Sequence, residues 1–189
     1  RISEIPTDKT IFTLCNRGNA SKSARDLLKE KGYNSVSVAG GMKGWAEQFE
    51  LKVLEEGEVS VYQFQRIGKG CLSHVIISDG KAVVIDPSIY ANLYLNFVKQ
   101  KDASIEAVID THRHADHISG GFELSKLSNA KYIVPEEDFK ESNINRSELS
   151  DGMIIEIGKA KLKAIKTPGH TFGMTSILDV DARCLDGKY

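Results

Sequence analysis

Cysteine, tryptophan and proline are scarce in this chain, with three Cys, one Trp and four Pro among 189 residues. Cys15, Cys71 and Cys184 are odd in number and far apart, which excludes a disulfide framework and points to reduced thiols in a cytoplasmic setting. Neither sign of charge is in excess: 25 Lys and Arg against 26 Asp and Glu leave a net charge of −1. That balance gives no electrostatic reason to expect nucleic acid or an anionic membrane as a partner. No apolar run approaches the ~18 residues of a membrane span. Arg1-Ile2-Ser3-Glu4-Ile5 lacks the apolar core of a secretory signal. The first residue is not Met, as expected of a sequence that starts inside a longer protein. What is present is an ordinary globular composition, 41% hydrophobic and 27% charged.

Two segments differ in pattern. In residues 1–50 short strand and helix signals alternate. Residues 10–14 are an apolar, β-rich run ending at Cys15. Ser21 is placed to cap a helix in which Ala24, Leu27, Leu28 and Lys31 fall at helical spacing, with Gly32 closing it. Residues 35–38 form the next strand, and Gly40-Gly41 turns the chain into a short helix containing Trp45. Residues 51–58 are charged and lack clear periodicity, which reads as a linker. From residue 59 to 189 strands dominate: 59–67, 74–77, 81–85, 105–109, 131–134, 153–157, 161–165 and 175–178, with helices at 91–99 and 119–127. Hairpin turns at Asp79-Gly80 and at Gly158-Lys159-Ala160, beside strands separated by helices, require a mixed sheet. The fold class is α/β in two parts.

Four of the five histidines gather at two strand ends. His112, His114 and His117, with Asp116, lie within six residues of one another, and His170 follows the 161–165 strand in Thr167-Pro168-Gly169-His170-Thr171. Imidazole and carboxylate are the short-range ligands of zinc, iron and manganese. Off a strand end, alternation lets His112 and His114 face one side. His74 sits in mid-strand and is read as structural. Asp86 fits either an orienting partner of a ligand histidine or a plain strand-capping Asp-Pro turn.

Cys15-Asn16-Arg17-Gly18-Asn19-Ala20-Ser21 joins a strand to a helix N-terminus. Backbone N–H groups of such a loop can converge on one sulfur, the helix dipole adds to their field, and Arg17 supplies a cation. Those features lower a thiol pKa and stabilise a thiolate or persulfide anion. Cys71 and Cys184 lack such a setting and are read as structural.

His112-Arg113-His114-Ala115-Asp116-His117 resembles the H-x-H-x-D-H signature of the metallo-β-lactamase superfamily, and the turn at His170 resembles its next ligand turn. The resemblance covers residues 59–189 and implies an αββα sandwich with metal at the sheet edges. The family's next acidic ligand, in a Gly-Asp after the following strand, has no counterpart before Tyr189, so the domain is expected to be truncated at its C-terminus. Residues 1–50 resemble rhodanese, whose active loop has the form C-x-x-G-x-x-S, with Gly40-Gly41 and Trp45 similar to its G-G-x-x-x-W element. The short lead-in before Cys15 suggests the C-terminal half of that domain. By resemblance Cys15 is the persulfide-carrying nucleophile, and Asn16, Arg17, Gly18, Asn19, Ala20 and Ser21 form its anion cradle.

The pairing is similar to persulfide dioxygenase–rhodanese fusions. It implies Fe(II) held by His112, His170 and an aspartate beyond Tyr189, with His114, Asp116 and His117 around it. Sulfane sulfur would be oxidised to sulfite, with Cys15 as sulfur carrier. The thiol partner would be glutathione-like and the chain a homo-oligomer. Two alternatives stand. One is a glyoxalase-II-like thioester hydrolase, with two zinc or iron ions on His112, His114, His170, Asp116 and His117. The other is a metal- or sulfur-binding module without turnover.

Overall fold

The computed structural model describes residues 2–115 and 117–180, which divide into two compact units. The smaller holds residues 1–50 and 66–70; the larger holds 51–65 and the remainder of the chain.

In the smaller unit a short 3-10 turn, Ile2–Glu4, precedes β1 (Ile11–Thr13), α1 (Asn19–Glu30), β2 (Ser35–Ser37) and α2 (Gly41–Ala46). β1 and β2 pair in parallel, Ile11 opposite Ser35. Gly18 rather than Ser21 occupies the N-cap of α1, with φ 86°. Ser21 therefore lies inside the first turn, where its side chain can serve the cysteine rather than the helix end. Gly32 ends the helix as its spacing predicts. Its N–H reaches the Lys29 carbonyl at 2.9 Å and the Tyr33 N–H reaches that of Leu28 at 3.0 Å, a Schellman arrangement that needs the positive φ of 83° at Gly32.

Next come β3 (Phe49–Glu55) and β4 (Val59–Arg66), whose residues 51–55 and 59–65 belong to the larger unit, then β5 (Cys71–Ser78), β6 (Lys81–Ile85), α3 (Ala91–Gln100) and β7 (Ser104–Ile109). The larger unit continues with α4 (Gly121–Ser128), β8 (Lys131–Val134), α5 (Glu136–Phe139), β9 (Ser147–Glu148), β10 (Ile154–Ile157), β11 (Ala160–Lys166) and β12 (Thr175–Asp179). Strands β3 to β9 form one seven-stranded sheet in sequence order, and β10-β11-β12 form a second. β5 and β6 are antiparallel, while β6, β7, β8 and β9 run parallel. The sheet is mixed, as the hairpin and helix signals require. Residues 51–58 are not simply a linker, because most of them belong to β3. Phe49, Leu51 and Val53 alternate with Glu50 and Lys52, a strand period that Leu54 breaks at an edge position.

The core lies between the sheets. Val83, Ile85, Ala107, Ile109 and Ile133 of the large sheet pack with Ile155, Ile157, Leu162 and Ala164 of the small one. The alternate residues Val75, Val84 and Val108 are equally buried and face α3 and α4, which contribute Tyr94, Val98 and Leu124. Burial on both faces explains why β6 reads as a continuous apolar run, Ala82-Val83-Val84-Ile85. The described residues thus give helix, sheet and sheet layers, a mixed α/β architecture. Among them no helix is long and apolar enough to cross a membrane.

Leu162 is fully buried at the centre of the interlayer core. Leu162→Ala should cost about 2–5 kcal/mol, read as a lower denaturant midpoint at unchanged slope. A loss under about 0.5 kcal/mol, the scale of ordinary surface changes, would show that the layers do not close there.

Candidate metal centre and cysteine loop

The carboxyl ends of the parallel strands β6, β7 and β8 point to one edge of the sheet, where α/β proteins place their ligands. Asp86 leaves β6, the histidine run leaves β7, and α5 follows β8. The loop after β11 brings His170 to the same edge. Ring centroids of His112 and His170 lie 5.1 Å apart, those of His112 and His114 4.1 Å, and those of His114 and His117 4.2 Å. The four imidazoles form one row. Asp116 lies outside the described residues, as does the stretch 181–189 that holds Cys184.

Asp86 organises this row. Its backbone takes φ 50°, a left-handed turn that Asp tolerates. Its carboxylate accepts the Thr111 N–H at 2.7 Å and the Thr111 hydroxyl at 2.8 Å, and meets His114 Nε2 at 3.1 Å. The Thr111 oxygen lies 3.0 Å from His112 Nδ1. Because that hydroxyl gives its proton to Asp86, it can only accept from Nδ1–H. The lone pair of His112 is then on Nε2. By the same reasoning His114, donating from Nε2, keeps its lone pair on Nδ1. Asp86 is thus both a strand-ending turn and an orienting partner. Burial and the neighbouring His114 lower the His112 pKa, against the pull of Asp86, which favours the neutral form a metal requires.

Asp110, which the motif spacing does not single out, is fully buried behind His114. It accepts the Tyr132 hydroxyl at 2.5 Å and the Ser119 hydroxyl at 2.7 Å, and Ser119 accepts the Gly121 N–H at 2.9 Å. Burial pushes its pKa up to about 6 despite those bonds. Gly121 must lack a side chain, since a Cβ would sit 2.7 Å from the Tyr132 ring and 2.9 Å from Asp110. Asp86, Asp110 and His114 present ligand atoms within 4.8 Å of one another and could themselves be taken for a cation site. Their acceptor atoms are already committed to Thr111, Ser119, Tyr132 and the His114 N–H. The two carboxylates are better read as the support behind the row, of which His114 is a member. The imidazole nitrogens of His112, His114, His117 and His170 suit a divalent transition metal. His74 pairs with Gln63 at 3.0 Å, in keeping with a structural role, and Cys71 is buried.

In the smaller unit the Cys15 sulfur accepts N–H bonds from Gly18 at 3.1 Å and Ser21 at 3.4 Å, with the Ser21 hydroxyl also 3.4 Å away. Ser37 donates to Ser21 at 2.9 Å and fixes it. These contacts, led by the Ser21 hydroxyl, lower the thiol pKa to about 7. Arg17 acts through its backbone N–H, whereas its position suggests a guanidinium contribution. Gly41, at φ 61°, backs the loop: a Cβ there would lie 2.0 Å from the Cys15 carbonyl. Met42 and Lys43 donate to the carbonyls of Cys15 and Asn16 at 2.9 and 3.0 Å.

A model of the metallo-β-lactamase superfamily matches residues 66–185, more than half of the sequence. The chain belongs to that superfamily. A rhodanese-like domain model matches residues 1–48. That match lies at the N-terminal end of this chain and does not itself support the narrower assignment to the C-terminal half of a rhodanese domain. The chain is similar to hydroxyacylglutathione hydrolase from Maricaulis maris, 35% identical over 104 residues, covering 55% of this chain and 40% of that protein. The corresponding protein of Francisella philomiragia is 31% identical over 99 residues, covering 51% and 38%. The chain spans about two-fifths of the length of these curated relatives. Among solved structures, a metallo-β-lactamase from Staphylococcus aureus gives a TM-score of 0.60 at 26% identity, covering 64% of this chain and 37% of that one. ETHE1 from Myxococcus xanthus gives 0.52 at 25% identity, covering 70% and 54%. The superfamily contains enzymes that use a divalent metal, and the histidine row fits one.

The cysteine loop makes a direct pH prediction. A thiolate alkylates and a thiol does not, so the iodoacetamide rate at Cys15 should rise with pH through a midpoint near 7. Ser21→Ala should move that midpoint upward, because the hydroxyl is the largest stabiliser of the anion. A wild-type midpoint at the ordinary thiol value of about 8.5 would contradict this cradle.

Proposed function

We propose that this chain handles sulfane sulfur, joining a persulfide-oxidising metal centre to a sulfurtransferase site. The observation that carries the reading is the anion cradle around Cys15 in a metallo-β-lactamase superfamily chain. The Cys15 thiolate attacks the outer sulfur of a donor such as thiosulfate, the S–S bond breaks, and sulfite leaves with its electron pair. The N–H groups of Gly18 and Ser21 stabilise the resulting persulfide anion, which passes its sulfur to a thiolate acceptor and regenerates Cys15. In the metal domain His112, through Nε2, and His170 would hold the ion, with His114, Asp116 and His117 around it. A ferrous ion there supplies the redox chemistry that oxidises a persulfide with O₂. Asp86 and Thr111 keep His112 in the tautomer this needs. Glutathione-like thiols are the substrate class, in line with the name of the curated relatives.

A second reading is favoured by those same relatives, which are named for the hydrolysis of hydroxyacylglutathione. In that reading His112, His114 and His170 would hold one ion and Asp116 and His117 would help hold a second, and the chemistry supplied would be cleavage of a thioester by water.

Metal analysis and two assays separate the readings. The first predicts one iron per chain, O₂ uptake on glutathione persulfide, and loss of both in His112→Ala. Cys15→Ser should abolish thiosulfate:cyanide sulfur transfer while leaving metal content unchanged. Removing the metal with a chelator should do the reverse. Two metals per chain with thioester cleavage and no O₂ uptake would establish the hydrolase instead, and sulfur transfer surviving Cys15→Ser would overturn the role of that cysteine.

A further inference from the structure

The two histidine loops come from different sheets. Residues 112–117 follow β7 of the seven-stranded sheet, whereas His170 lies between β11 and β12 of the three-stranded one. Whether His112 and His170 can share an ion depends on what holds those loops at a fixed separation. At their base the Thr175 N–H donates to the Thr111 carbonyl at 3.0 Å. Nearer the histidines, one carboxylate spans both loops. Asp138 Oδ2 accepts the N–H of Arg113, between His112 and His114, at 3.0 Å. Its Oδ1 accepts the N–H of Gly173, three residues beyond His170, at 2.9 Å.

Both ends of this bridge are built for it. Gly173 lets the loop approach, since a Cβ there would stand 2.8 Å from Asp138 Cγ and 2.9 Å from Oδ1. Its φ is not in the left-handed region, so it is the close contact that selects glycine. The one-turn helix α5 that carries Asp138 is tethered by the two residues before it: Glu137 pairs with Lys166 at the end of β11, and Glu136 with Arg146 at 3.0 Å. A short surface helix unable to hold itself in place is thereby fixed against the loop that bears His170.

We propose that Asp138 is a positioning residue that sets the spacing of the two ligand loops, and hence the metal geometry, without touching metal or substrate. The inference rests on the reading of His112 and His170 as ligands of one ion. It goes beyond that reading in assigning the interloop distance to a carboxylate outside both motifs.

Cobalt(II) added to the metal-free full chain provides the test, with affinity from chelator competition and ligand geometry from the visible absorption bands. Circular dichroism reports folding. Asp138→Ala and Gly173→Ala should each weaken Co(II) binding by about 10–100-fold, the range found when partners of metal ligands are removed. Both should alter the visible bands in the same way. The double variant should be little worse than the weaker single one, because both substitutions break the same bridge. Asp138→Asn, with one acceptor oxygen left, should fall between. A folded Asp138→Ala chain with wild-type affinity and bands overturns the proposal; if that variant does not fold, the same result in Gly173→Ala does so. Wild-type binding that survives combined loss of His112 and His170 overturns the underlying metal reading as well, whereas His-dependent binding with unaltered Asp138 variants overturns only the bridge.

Discussion

The carboxylate of Asp86 is the interaction on which the metal edge depends. It ends β6 in a left-handed turn, caps the start of the histidine run through the Thr111 N–H, and takes the hydroxyl of the same threonine. One group thus joins two adjacent parallel strands and fixes the proton positions of two imidazoles. Without it Thr111 could rotate, His112 could present either nitrogen, and His114 would lose the acceptor for its Nε2–H. Loss of such an outer partner typically costs about 10–100-fold in metal affinity. The N–H and O–H donors that Asp86 and Asp110 already hold compete with an ion for the oxygens of these carboxylates.

The smaller unit solves a related problem with backbone instead of side chains. A sulfur anion needs converging donors, and a loop entering a helix offers N–H groups with no partner inside the helix. Gly18 makes the turn that aims them, and Gly41 lets α2 pack backbone to backbone behind it. Ser21 serves the same sulfur through its N–H and hydroxyl, with Ser37 fixing the hydroxyl from β2. The result is a thiol whose pKa these donors lower to about 7, which favours the reactive anion.

Much of this was legible in the sequence, and the boundary has physical causes. Strands β5 to β8 read clearly because their apolar runs end in turn residues, and the histidine spacing carries its own geometry. The Cys15 loop was visible from its glycine and its place before a helix. The pattern misled in two places: Ser21 resembles a cap but faces the sulfur, and the short alternation of β3 is broken by Leu54 and the acidic pair after it. Asp110, Tyr132 and Asp138 carry no local signal. Tyr132 reaches Asp110 only because β7 and β8 pair in register, and Asp138 reaches Gly173 across 35 residues through contact between two sheets. Short elements such as α5 and β9 hold too few residues to show a period, so they appear only once tertiary contacts fix them.

The most direct test of this account is the position of the ion, found by anomalous diffraction from crystals of the iron- or zinc-loaded chain. The account predicts a metal bonded to Nε2 of His112 and shared with His170, with the Thr111 hydroxyl still between His112 Nδ1 and Asp86. A metal seated on the carboxylates of Asp86 and Asp110 with His114 Nε2, leaving His112 and His170 unbound, would contradict it.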